Sequence, residues 1–183
     1  MNALLKNLIE QYTRLELDVQ ELVNAQCNEL CVQCGICCCT AIICEEAIES
    51  PFLKLVHQQS NLFNDRYGFL TEKGCLLDAG RPPVCYEFFC ADQLFHQPDE
   101  LHGKLLRILG ALPNHAGKQA LGDIHLVDIR NENDFERLNF QGLEKQLQES
   151  FQCLEILRGF FNEKTLPEDA GRVFDRISVS TDD

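Results

Sequence analysis

Apolar residues recur at three- and four-residue spacings over 2–26, where Leu4, Leu5, Leu8, Tyr12, Leu15, Val19, Leu22 and Val23 are separated by Glu10, Arg14, Asp18 and Glu21. That is the period of one helix face, uninterrupted by Pro or Gly, and it predicts an amphipathic helix. The same period returns over 99–112 through Leu101, Leu105, Ile108, Leu109 and Leu112. Pro98 favours the start of this second helix, and the run from Pro113 to Gly117 predicts its end. A third helix is predicted over 134–161 through Phe135, Leu138, Leu143, Leu147, Phe151, Leu154 and Leu157, with Gly142 as its weak point. Cys153 falls on its apolar side and reads as core.

Between these helices the signals are shorter. Residues 45–59 read as helical around Ile48, Phe52, Leu55 and Val56, with Ser50 as N-cap and Pro51 at the first helical position. Residues 60–74, with Asn61, Asn64, Asp65, Gly68 and Gly74, read as a loop. Residues 124–129 are too few to choose between a strand and a helical turn. Residues 165–183 are polar and read as a flexible tail.

The elements predict a mainly α protein. Its scaffold, 1–30 and 99–162, forms a helical bundle, and a cysteine-rich, loop-rich segment over 31–90 lies across one end. No internal repeat or low-complexity linker divides the chain, so 1–183 is expected to be a single domain. Helix 2–26 is expected to pack within the chain, with a homodimer seam or a protein partner as the alternative.

Charge narrows the partners. A formal net charge of -13 against 16 Lys plus Arg opposes binding to a phosphate backbone, which rests on basic neutralisation and counterion release. Nucleic acid is not expected. No apolar run reaches the roughly 18 residues of a membrane helix, and the N-terminus lacks the apolar core of a signal peptide, so membrane is not expected either. A cytoplasmic location is expected, where thiols stay reduced.

The chemistry is carried by cysteine. Cys31-Val32-Gln33-Cys34-Gly35-Ile36-Cys37-Cys38-Cys39 holds five thiols in nine residues. Packing does not require this, because other small residues would fill the same space without the risk of oxidation. Cys31, Cys34 and Cys37 have the spacing that wraps three corners of a cubane cluster in bacterial ferredoxins, but the ferredoxin's Cys-Pro element is missing. A second stretch from Cys75 through Arg81-Pro82 to Cys85 and Cys90 supplies three more thiols. The candidate ligands are therefore Cys31, Cys34, Cys37, Cys38, Cys75, Cys85 and Cys90, with Cys39 and Cys44 as candidate extras. Cys27 reads as packing in preference to a ligand. Arg81 is a candidate to offset thiolate charge and donate hydrogen bonds to sulfur. Of the five histidines, His96 lies nearest the second stretch. Eleven cysteines is an odd number, so disulfides alone would leave one over.

Taken together, the two stretches resemble the CxxCxxCC, or YkgJ-type, cysteine-cluster family, described as zinc- or iron-chelating. The resemblance covers residues 31–90. It implies a metal site built from the motif cysteines and raises the weight of Arg81-Pro82. The chain departs from the family pattern in two places. Residues 65–70 lack the family's further cysteine upstream of the one aligned with Cys75, and Cys39 stands where a basic residue is common. One branch resembles the flagellin lysine methylase, but the similarity is to its cysteine domain alone and implies no methyl transfer here.

The functional expectation is a metal-binding protein whose cysteine cluster holds zinc or an iron–sulfur centre in a structural, redox or regulatory role. The alternative is an enzyme or accessory subunit in which the metal or cluster takes part in group transfer or thiol redox chemistry. No nucleotide-binding or hydrolase motif supports the enzyme, and the βαβ context of a thioredoxin-like protein is missing.

Overall fold

The computed structural model describes residues 2–34, 40–72 and 74–178, with side chains described for 2–27, 40–72 and 74–177. Helix α1 runs from Ala3 to Cys34. Asn2 Oδ1 accepts the Leu5 N–H at 2.7 Å and caps its start. The predicted stripe is buried at Leu5, Leu8, Tyr12, Leu15, Val19 and Leu22. The helix continues eight residues past the expected end at 26, because no Pro or Gly occurs before Gly35. Cys31 and Cys34, expected in the loop-rich segment, therefore stand one turn apart on helical backbone in its last turns.

Two short helices follow in place of one. Helix α2 spans Ala41–Glu49 and α3 spans Pro51–His57. Ser50 separates them as expected, its Oγ accepting the Leu53 N–H at 3.3 Å with Pro51 next in line. The region expected as a loop is more regular than that. It carries a 3₁₀ turn at Ser60–Leu62, an antiparallel bridge between Asn64 and Gly68, and a hairpin of β1 (Leu70–Thr71) and β2 (Gly74–Cys75). Leu70 lies opposite Cys75 and Thr71 opposite Gly74. Short helices α4 (Val84–Glu87) and α5 (Ala91–Phe95) complete the segment.

Helix α6, Glu100–Gly117, starts at Asp99, whose Oδ1 accepts the His102 N–H at 2.8 Å. The expected end at Pro113 is corrected: the helix passes through it. Proline removes one N–H and crowds the carbonyl four residues back. Burial offsets that cost, since Leu105, Leu106, Ile108, Leu109, Ala111, Leu112 and Ala116 are all in the core. Leu101, placed by periodicity on the apolar side, is exposed. The long helix expected over 134–161 is two elements, a 3₁₀ helix at Glu132–Arg137 and α7 at Phe140–Glu163. Asn139 breaks them, its Oδ1 accepting the Gly142 N–H at 3.0 Å and its own N–H donating to Ala120 at 2.9 Å. Gly142 is thus part of the helix start rather than a weak point. Residues 124–129 form a bridge from Leu121 to Ile124 and a 3₁₀ turn at Leu126–Asp128.

The stretch expected as a flexible tail carries a helix. Helix α8, Ala170–Ser178, buries Ala170, Val173, Phe174 and Ile177. These four fall at helical spacing, but over too short a run to stand out in sequence. Residues 179–183 lie outside the described residues.

The architecture is mainly helical. Helices α1, α6 and α7 pack on one another, α8 covers α6 and α7, α3 packs on α1, and α4 packs on α6. Their buried side chains form one continuous hydrophobic cluster. Among the described residues no helix is long and apolar enough to cross a membrane.

Candidate metal centre

Helix α1 supplies the first wall of a cavity of about 350 Å³, through Gln20, Val23, Asn24 and Cys27. Helix α2 adds Ile43 and Cys44, β2 adds Cys75, and the segment from Arg81 to Gln93 adds Cys85 and Cys90. Five cysteines from separate elements thus line one space. The rest of the lining is largely apolar, from Leu70, Val84, Tyr86, Phe88 and Phe89.

Each thiol is set by its local structure. Cys75 is fixed by the hairpin register. Cys85 lies in α4, which sits close to α6 because residue 110 is glycine: a Cβ there would overlap the Tyr86 carbonyl and press on the Phe89 ring. Cys90 is the N-cap of α5, its Sγ accepting the Gln93 N–H at 3.4 Å. N–H···S bonds of this kind orient a sulfur that binds metal. Cys44 is buried in α2 against Gly68.

Arg81 lies in the cavity wall and is held on two sides. Its Nε donates to the Leu77 carbonyl at 2.7 Å. Its guanidinium donates to the Gln20 amide oxygen at 2.7 and 3.0 Å, while the Gln20 amide nitrogen donates to the Asp78 carbonyl at 2.8 Å. A planar five-donor head fixed this way can present positive charge to thiolates without moving.

Behind Arg81 lies a buried polar group that the sequence reading did not single out. Glu16 is completely buried. Its Oε2 accepts the N–H of Gly80, which has φ +75° and packs so tightly on His57 and Leu53 that only glycine fits. Among the described residues, Glu16 Oε1 and the hydroxyl of Tyr12 are buried with no hydrogen-bond partner. Burial pushes the Glu16 carboxyl up to about 8, against the downward pull of the Gly80 N–H, the Arg81 charge and the Tyr86 hydroxyl that faces it. One signal was available: Glu16 falls four residues after Tyr12 and three before Val19, inside the apolar stripe.

The expected site residues divide clearly. Cys75, Cys85, Cys90, Cys44 and Arg81 share the cavity. Cys27, read as packing, is buried yet also in its wall. Cys31 and Cys34 continue α1 beyond that wall, their side chains outside the description, and Cys37, Cys38 and Cys39 lie outside the described residues. His96 is not in the lining; it is exposed, with Nδ1 2.7 Å from the Asp92 carbonyl. Cys153 is in the core, where burial pushes its thiol up to about 12.

Among the described residues the lining offers sulfur from five cysteines, together with the polar side chains of Gln20, Asn24, Thr40 and Gln93, and no imidazole or carboxylate. Such a set suits zinc, copper(I) or iron–sulfur centres and not magnesium or calcium. The fit is one of donor type. Among the described residues no three His, Cys, Asp or Glu side chains form a group that could hold a metal ion. No family profile, curated protein or solved structure matches the chain.

Proposed function

We propose that this is a metal-binding protein in which the cysteine cluster holds zinc or an iron–sulfur centre, in a structural, redox or regulatory role. One observation carries the reading: Cys27, Cys44, Cys75, Cys85 and Cys90, from separate elements, line one cavity. Cys31 and Cys34 stand on the same helix one and two turns beyond Cys27. The ligands would come from Cys75, Cys85 and Cys90 together with Cys31, Cys34, Cys37 and Cys38, with Cys39 and Cys44 as extras. When bound, the centre would supply either a rigid tetrahedral crosslink or a one-electron redox site. The chain's own part is to gather the thiols, shield them with the aromatic wall and oppose their charge with Arg81. The resemblance to the YkgJ-type cysteine family supports this reading through the same cysteines and Arg81-Pro82. A reducing compartment such as the cytoplasm would keep the thiols competent.

The test is metal and acid-labile sulfide content, with a visible spectrum, on protein purified without oxygen. Zinc without sulfide supports the structural form, and iron with matching sulfide and brown absorbance supports the cluster. Neither metal, with all thiols titratable, would overturn the proposal and favour thiol redox chemistry instead.

A further inference from the structure

Two side chains belong both to the wall of the thiol cavity and to the surroundings of Glu16. Tyr86 lines the cavity while its hydroxyl faces the buried carboxyl, and Arg81 lines the cavity while its charge acts on the same carboxyl. Glu16 itself is outside the lining. Its Oε2 accepts the Gly80 N–H, immediately before Arg81. Arg81 is in turn pinned to α1 through Gln20, one helical turn beyond Glu16. Carboxyl, turn, guanidinium and cavity wall are one mechanical unit.

We propose that Glu16 is a positioning and charge-compensating residue for the thiol cavity: it holds the Gly80–Arg81 turn against α1 and takes up a proton when negative charge accumulates in the cavity. The groups that decide its state are few. Tyr12 faces it from its own helix, and Arg81 and Tyr86 from the 80–86 segment. Glu46 and Glu87 act on Tyr12 from α2 and α4. Arg81 is the one cation among them, and it is shared between Glu16 and the cavity. Negative charge on the thiolates opposes the Arg81 field at Glu16, and a carboxyl in a less positive field keeps its proton. Its ordinary range is already left behind through burial. The proton exchanged moves between solvent and one carboxyl oxygen, and no bond to carbon or sulfur changes.

The inference concerns the cavity's charge and not the identity of what fills it, so it can be tested without metal. The reduced full-length protein is alkylated either with iodoacetate or with iodoacetamide. In each the thiolate sulfur bonds to carbon and iodide leaves; the first adds a carboxylate and the second a neutral amide of similar size. Cys85 is exposed and open to both. The Glu16 carboxyl is followed by its protonated C=O band in infrared difference spectra across a pH range bracketing 8. Glu16→Gln removes the band and assigns it. Tyr86→Phe, which keeps the ring and deletes the hydroxyl, raises the midpoint and assigns it independently should the first variant not fold. The carboxymethylated protein is expected to show a midpoint higher by a fraction of a unit to about one unit than its neutral counterpart. Equal midpoints would overturn the inference while leaving the metal proposal standing; absence of metal in the other experiment would do the reverse.

Discussion

The N–H of Gly80 donates to Oε2 of Glu16 across 64 residues of chain, at a carboxyl with no exposed surface. This bond ties the turn before Arg81 to the middle of α1, and it gives stability a defined pH dependence. A carboxyl whose midpoint rises from 4.5 unfolded to about 8 folded binds more proton in the folded state. Its contribution is full below 4.5, is lost as pH rises toward 8, and levels off above. At ~1.4 kcal/mol per unit the loss amounts to several kcal/mol. His57, His115 and His125, all depressed by burial, work in the opposite sense and cost stability as pH falls below 6.5. The difference between wild type and Glu16→Gln isolates the carboxyl. Urea midpoints are expected to converge in acid and to favour Glu16→Gln increasingly as pH approaches 8. A constant difference over that interval would refute the assignment.

Gly110 makes a second, steric prediction. Its missing side chain lets the backbone of α4 lie on α6, and α4 carries Cys85 into the cavity. Gly110→Ala is expected to cost about 1–3 kcal/mol through overpacking, and to lower metal content by displacing Cys85. Gly103→Ala is the control. It stands on the same helix with nothing within 4 Å of the added Cβ, and gains up to ~1 kcal/mol from helix propensity. Thermal melts and metal analysis of the two variants are the measurements. Equal behaviour would mean that α4 yields without cost.

What was legible in the sequence follows from how local each cause is. The stripe of α1, the Ser50–Pro51 start of α3 and the core position of Cys153 depend on neighbours three or four residues away, and the structure has all three. The continuation of α6 through Pro113 does not. It depends on burial against α1, α7 and α8, which outweighs the local penalty. The break at Asn139 depends on Ala120, whose carbonyl holds it from another segment. Thiols of the two cysteine stretches are marked as candidates by the density and spacing of the first and by the family resemblance. Cys44, a candidate extra in the sequence, lines the same cavity, whereas the place of Cys27 in its wall and of Glu16 behind Arg81 comes from how α1 packs on the 77–86 segment, which no spacing encodes.

Helix α8 supplies a prediction about the region that reads as a tail. Ile177 is fully buried, and Arg176 reaches Glu149 at 3.4 Å, a carboxylate that also lies 3.1 Å from His115 Nε2. Ile177→Ala is therefore expected to cost about 2–5 kcal/mol, as for a core residue. An exposed tail position would cost less than about 0.5 kcal/mol. Chemical denaturation distinguishes the two, and a cost in the smaller range would show that α8 does not stay docked in solution.

Cysteine replacement separates ligands from packing thiols. Cys34→Ser and Cys85→Ser are each expected to lower bound metal and to destabilise the protein, since a centre of this kind contributes its binding energy to folding. Cys153→Ser buries a hydroxyl among Leu154, Leu157 and their neighbours in the core. It is expected to cost about 1–3 kcal/mol while leaving metal content unchanged. Chelation of the wild type is expected to loosen residues 31–90, seen as new protease cleavages there, while α6 and α7 keep their helical circular dichroism. The two halves of this prediction fail differently. Unchanged proteolysis after complete metal removal would mean that the hairpin, α4 and α5 are held by their contacts with α1 and α6 alone. Metal loss in Cys153→Ser equal to that in Cys85→Ser would mean that the variants act through general unfolding, and the assignment of ligands would have to be abandoned.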